Sequence, residues 1–346
     1  MASAYWADSV LLASQHRLTG KMTEAELRRK ATPVLGALLK NRNPLIPGIA
    51  QIQNSDTRTN STYLLNKVSH SITNARAHAH TGSKGTSTAV NLAWVTYAAD
   101  FKISLKNADY NVFTWQEMFD NEVYGSFIDL HDDMETDALA WLSTYKSLVI
   151  IPNSGASSNV LTWDTSNYIA GVAATDQDYF VQQIKMFMFE NKYKGELDLI
   201  CDPGLYAKLE KSMNQGTANA ENTGFQFSNV NIYPTSDAAA TAVDGYSGLG
   251  YVVPTGMIGV VDWIPKLNRD GKETKNYSYS SMPDLFGTGM PFAVHMYETG
   301  ADNSSYGGET QDVDQEFEFS VDIAKVYAPT STSNEYPIFK VGLLAT

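Results

Sequence analysis

The 346-residue sequence predicts an α+β fold, on three observations. Apolar residues recur at gaps of three and four from Phe119 to Tyr145, the stripe of one long helix. Several other stretches alternate apolar and polar residues with period two, as half-buried strands do. After Pro152 the character becomes mixed, with short strands and helices set between Gly and Pro breaks.

Taken in order, residues 1–55 read as an arm. Thr23 followed by Glu26 has the spacing of a capping box and favours a helix start. Pro33 and the stretch NRNPLIPG limit that helix. Trp6, Leu11, Leu12, Leu35, Leu38 and Leu39 are scattered through pieces too short to form a core, so they are expected to lie on something larger.

Residues 56–105 read as a long two-stranded excursion. Ala75, Ala77 and Ala79 alternate with Arg76, His78 and His80, and TGSKGTST (Thr81–Thr88) is a tip of little intrinsic order. The returning limb alternates through Leu92, Trp94 and Thr96, then Phe101, Ile103 and Leu105. An isolated two-stranded ribbon is marginal in water, and an exposed one invites aggregation. The pattern therefore asks for a cover. Gly82, Ser83, Lys84 and Gly85 at the tip are expected to matter for association and not for folding.

The rod follows. Thr114 and Glu117 form a second capping-box pair, and the stripe runs through Phe119, Val123, Phe127, Leu130, Met134, Ala138, Trp141 and Tyr145. From 114 to 147 such a helix measures about 50 Å at ~1.5 Å per residue. A compact chain of this length has a radius of gyration of about 20 Å, so the helix crosses the whole molecule. Gly125 costs roughly 1 kcal/mol there and is a place for a bend. Glu122, Asp129, Asp132, Asp133 and Asp137 fall mostly off the stripe and read as a solvated face.

Beyond Pro152, Thr175 to Lys192 reads as a buried helix opened by a Thr175–Asp178 pair. GELDLICDPGLYAKLEKSM reads as strand, turn and helix, cornered at Asp202-Pro203-Gly204. FSNVNIYP and GYVVPTGMIGVVDWIP are short strands. In QEFEFSVDIAKVYA, Phe317, Phe319, Val321 and Ile323 face one way and Glu318, Ser320 and Asp322 the other, a half-buried strand. IFKVGLL is expected to be its hairpin partner.

Composition bounds the chemistry. Hydrophobic residues at 43% and charged residues at 18% suit a globular chain with a real core. The net charge of −13 and the lack of any basic run argue against a phosphate-binding groove. Cys201 is the only cysteine, which rules out an intrachain disulfide and a zinc–cysteine site and suits a reducing compartment. Beside Leu199 and Ile200 it reads as a small core residue. MASAYWADSVLLASQ lacks the basic flank of a secretory signal, and no apolar run approaches the roughly 20 residues that span a bilayer.

Catalytic patterns are incomplete. His78 and His80 would put two imidazoles on one strand face, but the next carboxylate is Asp100, so two solvent-facing histidines are the simpler reading. GSKGTST has Lys-Gly where a phosphate loop needs Gly-Lys-Ser/Thr. No G-x-S-x-G elbow occurs. The 38 acidic and 39 aromatic residues leave a carbohydrate-active enzyme or sugar-binding protein as an alternative, although the aromatics follow core periodicities.

The order of parts, above all Thr81–Thr88 as an extended-loop tip and Thr114–Ser147 as a spine helix, resembles the major capsid protein of tailed bacteriophages, the Hong Kong 97-type fold. LDLICDPGLYAKLEK is similar to that family's axial-domain strand–turn–helix, and EFEFSVDIAKVYA to its peripheral-domain strand. The resemblance divides the chain into an N-terminal arm at 1–55, an extended loop at 56–105, and the spine helix with the peripheral domain at 106–160. An axial domain follows at 161–300, with closing peripheral strands at 301–346.

It implies a structural subunit and no enzyme: no catalytic, cofactor-binding or metal residues, and no cofactor. The implied partners are copies of the chain in pentamers and hexamers, with scaffold, portal or decoration proteins as further candidates. Packaged DNA would be met only through weak non-specific contact, and no membrane is involved. The implied location is the virion capsid, made in the host cytoplasm. Loop and arm would lie on adjacent subunits. Some members cross-link a loop lysine; Lys84 stands at this tip, but no residue can be assigned as its partner. Encapsulin compartments share the fold and remain an alternative.

Overall fold

The computed structural model describes residues 10–15, 18, 32–40, 45–59, 61–66, 84–104, 115–150, 160–216, 229–236, 243–273, 277–300, 313–330 and 334–345. After a helical stretch at residues 10–15 come α1 (Pro33–Leu39), α2 (Ile49–Gln53), β1 (Ser61–Leu65), β2 (Ser87–Asn91), β3 (Trp94–Ser104) and the long α3 (Trp115–Thr144). Next come β4 (Thr162–Asp164), β5 (Ile169–Val172), a 3-10 turn (Ala174–Tyr179), α4 (Phe180–Glu190), β6 (Leu197–Cys201) and α5 (Pro203–Gly216). Then follow β7 (Val230–Pro234), β8 (Tyr246–Pro254), β9 (Ile258–Trp263), α6 (Lys266–Arg269) and β10 (Tyr277–Pro283). Strands β11 (Pro291–Gly300), β12 (Val313–Tyr327) and β13 (Phe339–Leu344) complete the order. The architecture is α+β.

The apolar stripe folds as one 30-residue helix, about 45 Å long at ~1.5 Å per residue, which runs through Gly125 without interruption. Phe119, Val123, Phe127, Leu130, Met134 and Ala138 are buried. They face an antiparallel sheet in the order β10-β11-β12-β3. Aromatic side chains fill the space between. Phe119 meets Phe317 at a 4.8 Å ring separation and Phe101 at 5.8 Å, and Phe127 meets Phe292 and Phe319 at 4.8 and 5.5 Å. Offset and edge-on contacts of this kind add to the burial of the rings themselves.

β12 is the central strand. One edge pairs with β3 from Asp314 to Ala324; the other pairs with β11 up to Ser320 and then with β9 from Asp322 to Tyr327. Phe317, Phe319, Val321 and Ile323 are buried against α3, as their alternation requires. The opposite face is only partly solvated: Glu318 is exposed, but Asp322, Ala324 and Val326 are buried. A second cluster made by Ile46, Ile52, Leu92, Val261, Ala324 and Val326 covers that end.

Three expectations meet the structure here. First, the apolar pieces of residues 1–55 do lie on something larger, and for the described part that is their own chain. Val34, Leu35, Ala37 and Leu38 of α1 are buried beside α3, and Ile46 and Ile52 belong to the cluster behind β12. Short apolar helices find a face to bury on within the subunit. Thr23, Glu26 and Trp6 fall outside the described residues, as do His78, His80 and the alanine run at 75–79.

Second, the limb from Trp94 to Ser104 is no excursion but a full strand of the sheet, because its alternation matches that of β12 residue for residue. Third, β13 does not pair with β12. It lies parallel to β5 and antiparallel to β8, inside a six-stranded sheet of order β4-β5-β13-β8-β6-β7. Phe339 to Leu343 are all buried, which a two-faced core demands and a half-exposed hairpin does not.

The second sheet carries α4 and α5. Asp202 closes the expected corner by accepting backbone hydrogen bonds from Leu205 (2.7 Å) and Leu249 (2.9 Å). Gly204 is required there, since a Cβ would sit 2.5 Å from the Ser247 carbonyl oxygen. Residues 174–179 form a 3-10 turn without a side-chain cap, so the Thr175 pairing is not used. α4 is buried on one side only; Met186 and Phe189 on its other side are exposed, as is Tyr179 just before it.

Candidate functional site

Among the described residues no group of three or more His, Cys, Asp or Glu could hold a metal ion. No helix among them is long and apolar enough to cross a membrane. Cys201 is fully buried in the second core, where burial pushes its thiol up to about 12, far from a reactive thiolate. The polar side chains that are buried serve structure. Glu135, inside α3, accepts the backbone N–H groups of Val34 (2.9 Å) and Leu35 (3.0 Å), capping α1 with a carboxylate from another helix.

His131 Nδ1 lies 2.7 Å from the Phe127 carbonyl, and its Nε2 lies 3.1 Å from an Asp284 carboxylate oxygen, both side chains fully buried. Burial pushes the Asp284 carboxyl up, but the contacts from His131 and Thr288 outweigh it and hold the group below the usual carboxylate range. Asp137, expected on the solvated face, instead bonds Lys325 and the Tyr97 hydroxyl, tying α3 to β12 and β3. Glu122, Asp132 and Asp133 are exposed as expected.

The feature that stands apart is a ribbon. Among the described residues β1 and β2 pair only with each other, Ser61 opposite Asn91 and Leu65 opposite Ser87. Tyr63 (66% exposed) and Leu65 (81%) point from one face with Ala89 across from Tyr63. Large apolar side chains this exposed on an unpaired two-stranded sheet are what folding normally avoids. Asn66 clasps Thr86 and Thr88 at the far end (2.9 and 2.6 Å), just before the exposed Lys84 and Gly85.

The ribbon's root is anchored firmly. Arg58 reaches the buried carboxylate of Asp322 on β12 at 2.8 Å and lies over the Trp263 ring. Thr96 donates its hydroxyl to the same carboxylate. Trp94 Nε1 donates to the Thr59 carbonyl (2.9 Å), and Trp263 Nε1 and Arg269 both donate to that of Ser55. The local pattern around Arg58 carried no sign of this clamp, since its partners lie some 38 to 264 positions away.

The sequence placed an extended element here but carried its returning limb through 92–105, where 94–104 belong to the sheet, and assigned no strand to 61–65; the limb read at 75–79 and the tip at 81–83 lie outside the described residues. The ribbon thus presents exposed apolar side chains from a root clamped to the central sheet.

No protein-family model matches the chain, and no curated protein matches it. It is similar to several solved structures. For the cyanophage A-1(L) capsid asymmetric unit the identity is 11%, over 91% of this chain and 93% of the other, with a TM-score of 0.48. For the capsid structure of cyanophage P-SCSP1u the identity is 12%, over 84% of each chain, with a TM-score of 0.46. A structure from Mycobacterium phage Che8 is 9% identical over 83% and 85%, with a TM-score of 0.45.

Proposed function

We propose that the protein is a self-assembling shell subunit, the major capsid protein of a tailed bacteriophage. The observation that carries this reading is the β1–β2 ribbon, whose exposed Tyr63 and Leu65 are offered on a root locked into the subunit's central sheet. On it, α3 and the five-stranded sheet form the peripheral domain, the six-stranded sheet the axial domain, and residues 61–91 the extended loop. The subunit works by association and not by catalysis, and its charge of −13 keeps a packaged nucleic acid from adhering to the wall.

Light scattering and electron microscopy of the purified chain at physiological salt test this. Closed shells of uniform size are expected. A stable monomer whose residues 61–66 and 84–91 resist hydrogen exchange would overturn it. Shells isolated from the natural host should hold nuclease-protected DNA; shells holding an enzyme would assign the chain to a cargo compartment.

A further inference from the structure

Helix α4 carries large apolar side chains on both of its sides, and its own chain covers one. Phe180, Val181, Ile184, Phe187 and Met188 are buried in the second core. Gln182, Lys185, Met186 and Phe189 fall at i, i+3, i+4 and i+7 on the opposite side, where Met186 and Phe189 are 57% and 64% exposed. A stripe at that spacing is a helix-packing face. A helix with apolar residues all round is normally buried all round.

A groove of about 590 Å³ continues the stripe past Phe189, Tyr193 and Leu197. The chain leaves α4 through two residues of positive φ, Lys192 (64°) and Gly195 (114°), and Lys194 between them lies over the Phe189 ring at 5.6 Å. Lys185 also lines the groove, and burial holds its amine below the ordinary range. No Asp or Glu is among the described residues that line it, in a chain whose net charge is −13. Glu196, next to Gly195, is turned to Lys40 and Asn231 instead. The result is an apolar groove with a cationic rim. Methionine and aromatic side chains in such a place suit the apolar ridge of a helix, and the rim asks for carboxylates beside that ridge.

A second copy offers no such counterpart among the described residues. Lys84, exposed beyond the ribbon's Tyr63 and Leu65, would meet Lys185 and Lys194 as a like charge. The exposed carboxylates of α3 have no exposed large apolar side chain on their helix. Glu316 and Glu318 do lie beside Tyr277 and Tyr297, but in a groove of their own, and two grooves do not fill each other.

We infer that α4 and this groove receive an acidic amphipathic helix from a different protein, its apolar ridge on Met186 and Phe189 and its carboxylates at Lys185 and Lys194. The inference goes beyond the shell reading and does not rest on it.

The probe is a fluorescent amphipathic peptide of about 18 residues, with Leu at i, i+3, i+4 and i+7 and Glu on both flanks. A companion peptide has Lys in place of every Glu. Anisotropy titrations on the unassembled subunit at low salt should show the Glu peptide binding at least about tenfold tighter. Lys185→Glu with Lys194→Glu should reverse that preference. Met186→Ser with Phe189→Ser should weaken the Glu peptide about tenfold or more. Circular dichroism checks that both variants fold. Equal affinity for the two peptides, no binding of either, or indifference to both double variants would overturn the inference. So would assembled particles that exclude the peptide, or a folded Met186→Ser/Phe189→Ser subunit that no longer assembles, since either assigns the face to a second copy. Failure of the wild-type chain to assemble would overturn the shell reading and leave the peptide result standing.

Discussion

β2 and β3 are separated by two residues, and both are extended and regular, yet they have opposite fates. β3 is paired to β12 along its whole length and buries Tyr97 and Ile103 in the core. Among the described residues β2 is paired only to β1, and the face they share leaves Tyr63 and Leu65 in solvent. Strand pattern reports that one face wants cover. It does not report whose chain supplies it.

That contrast can be broken by substitution, starting in the body. Phe319→Ala removes a fully buried ring that touches Phe101 and Phe127, and should cost the subunit about 3–5 kcal/mol in chemical denaturation. Glu135→Ala leaves two buried backbone donors at α1 without acceptors, for a loss of roughly 2–4 kcal/mol by the same measurement. Trp94→Ala sits at the boundary. It loses a half-buried ring and the bond to Thr59, and should cost the unassembled subunit about 2 kcal/mol. Retention of full stability in that variant would move the boundary inward.

The Asp284–His131 pair adds a pH dependence. The folded carboxyl is depressed, so its contribution is complete above the unfolded value near ~4 and is lost as pH falls through the lower folded value. Thermal melts between about pH 2 and 6 should therefore show a steeper acid loss in wild type than in Asp284→Asn. On the ribbon the order reverses. Tyr63→Ser with Leu65→Ser should change subunit stability by less than about 0.5 kcal/mol per site while strongly reducing assembly. A stability loss comparable to that of Trp94→Ala would mean the ribbon is covered by its own chain.

Much of the body was legible because its signals are local. The stripe from Phe119 to Ala138 places a helix without reference to anything else, and the Asp202-Pro203-Gly204 corner carries its own turn chemistry. Pairing is not local. Nothing in IFKVGLL distinguishes β12 from β5 and β8 as partners; the choice is made by Phe187 and Val252, which pack in the same core as Phe339. Carboxylates were misjudged for a related reason. Asp137 reads like Asp133 in sequence, and only the approach of Lys325 and Tyr97 separates them. At the candidate site an extended element was legible and the clamp was not, since Arg58 and Asp322 meet only after the sheet has formed.

The register of β3 on β12 also has a mechanical meaning. The ribbon leads directly into β3, and β3 is held by eleven consecutive residue pairs from Trp94 to Ser104. A pull delivered along that strand loads the hydrogen bonds of the ladder together, in shear, and cannot open them one at a time as a pull across the edge would. Tension arriving through the ribbon is thereby spread into the middle of the sheet, where β12 passes it to β9 and β11. On the shell reading proposed above, load passed between subunits would enter each one along the direction in which its sheet resists best.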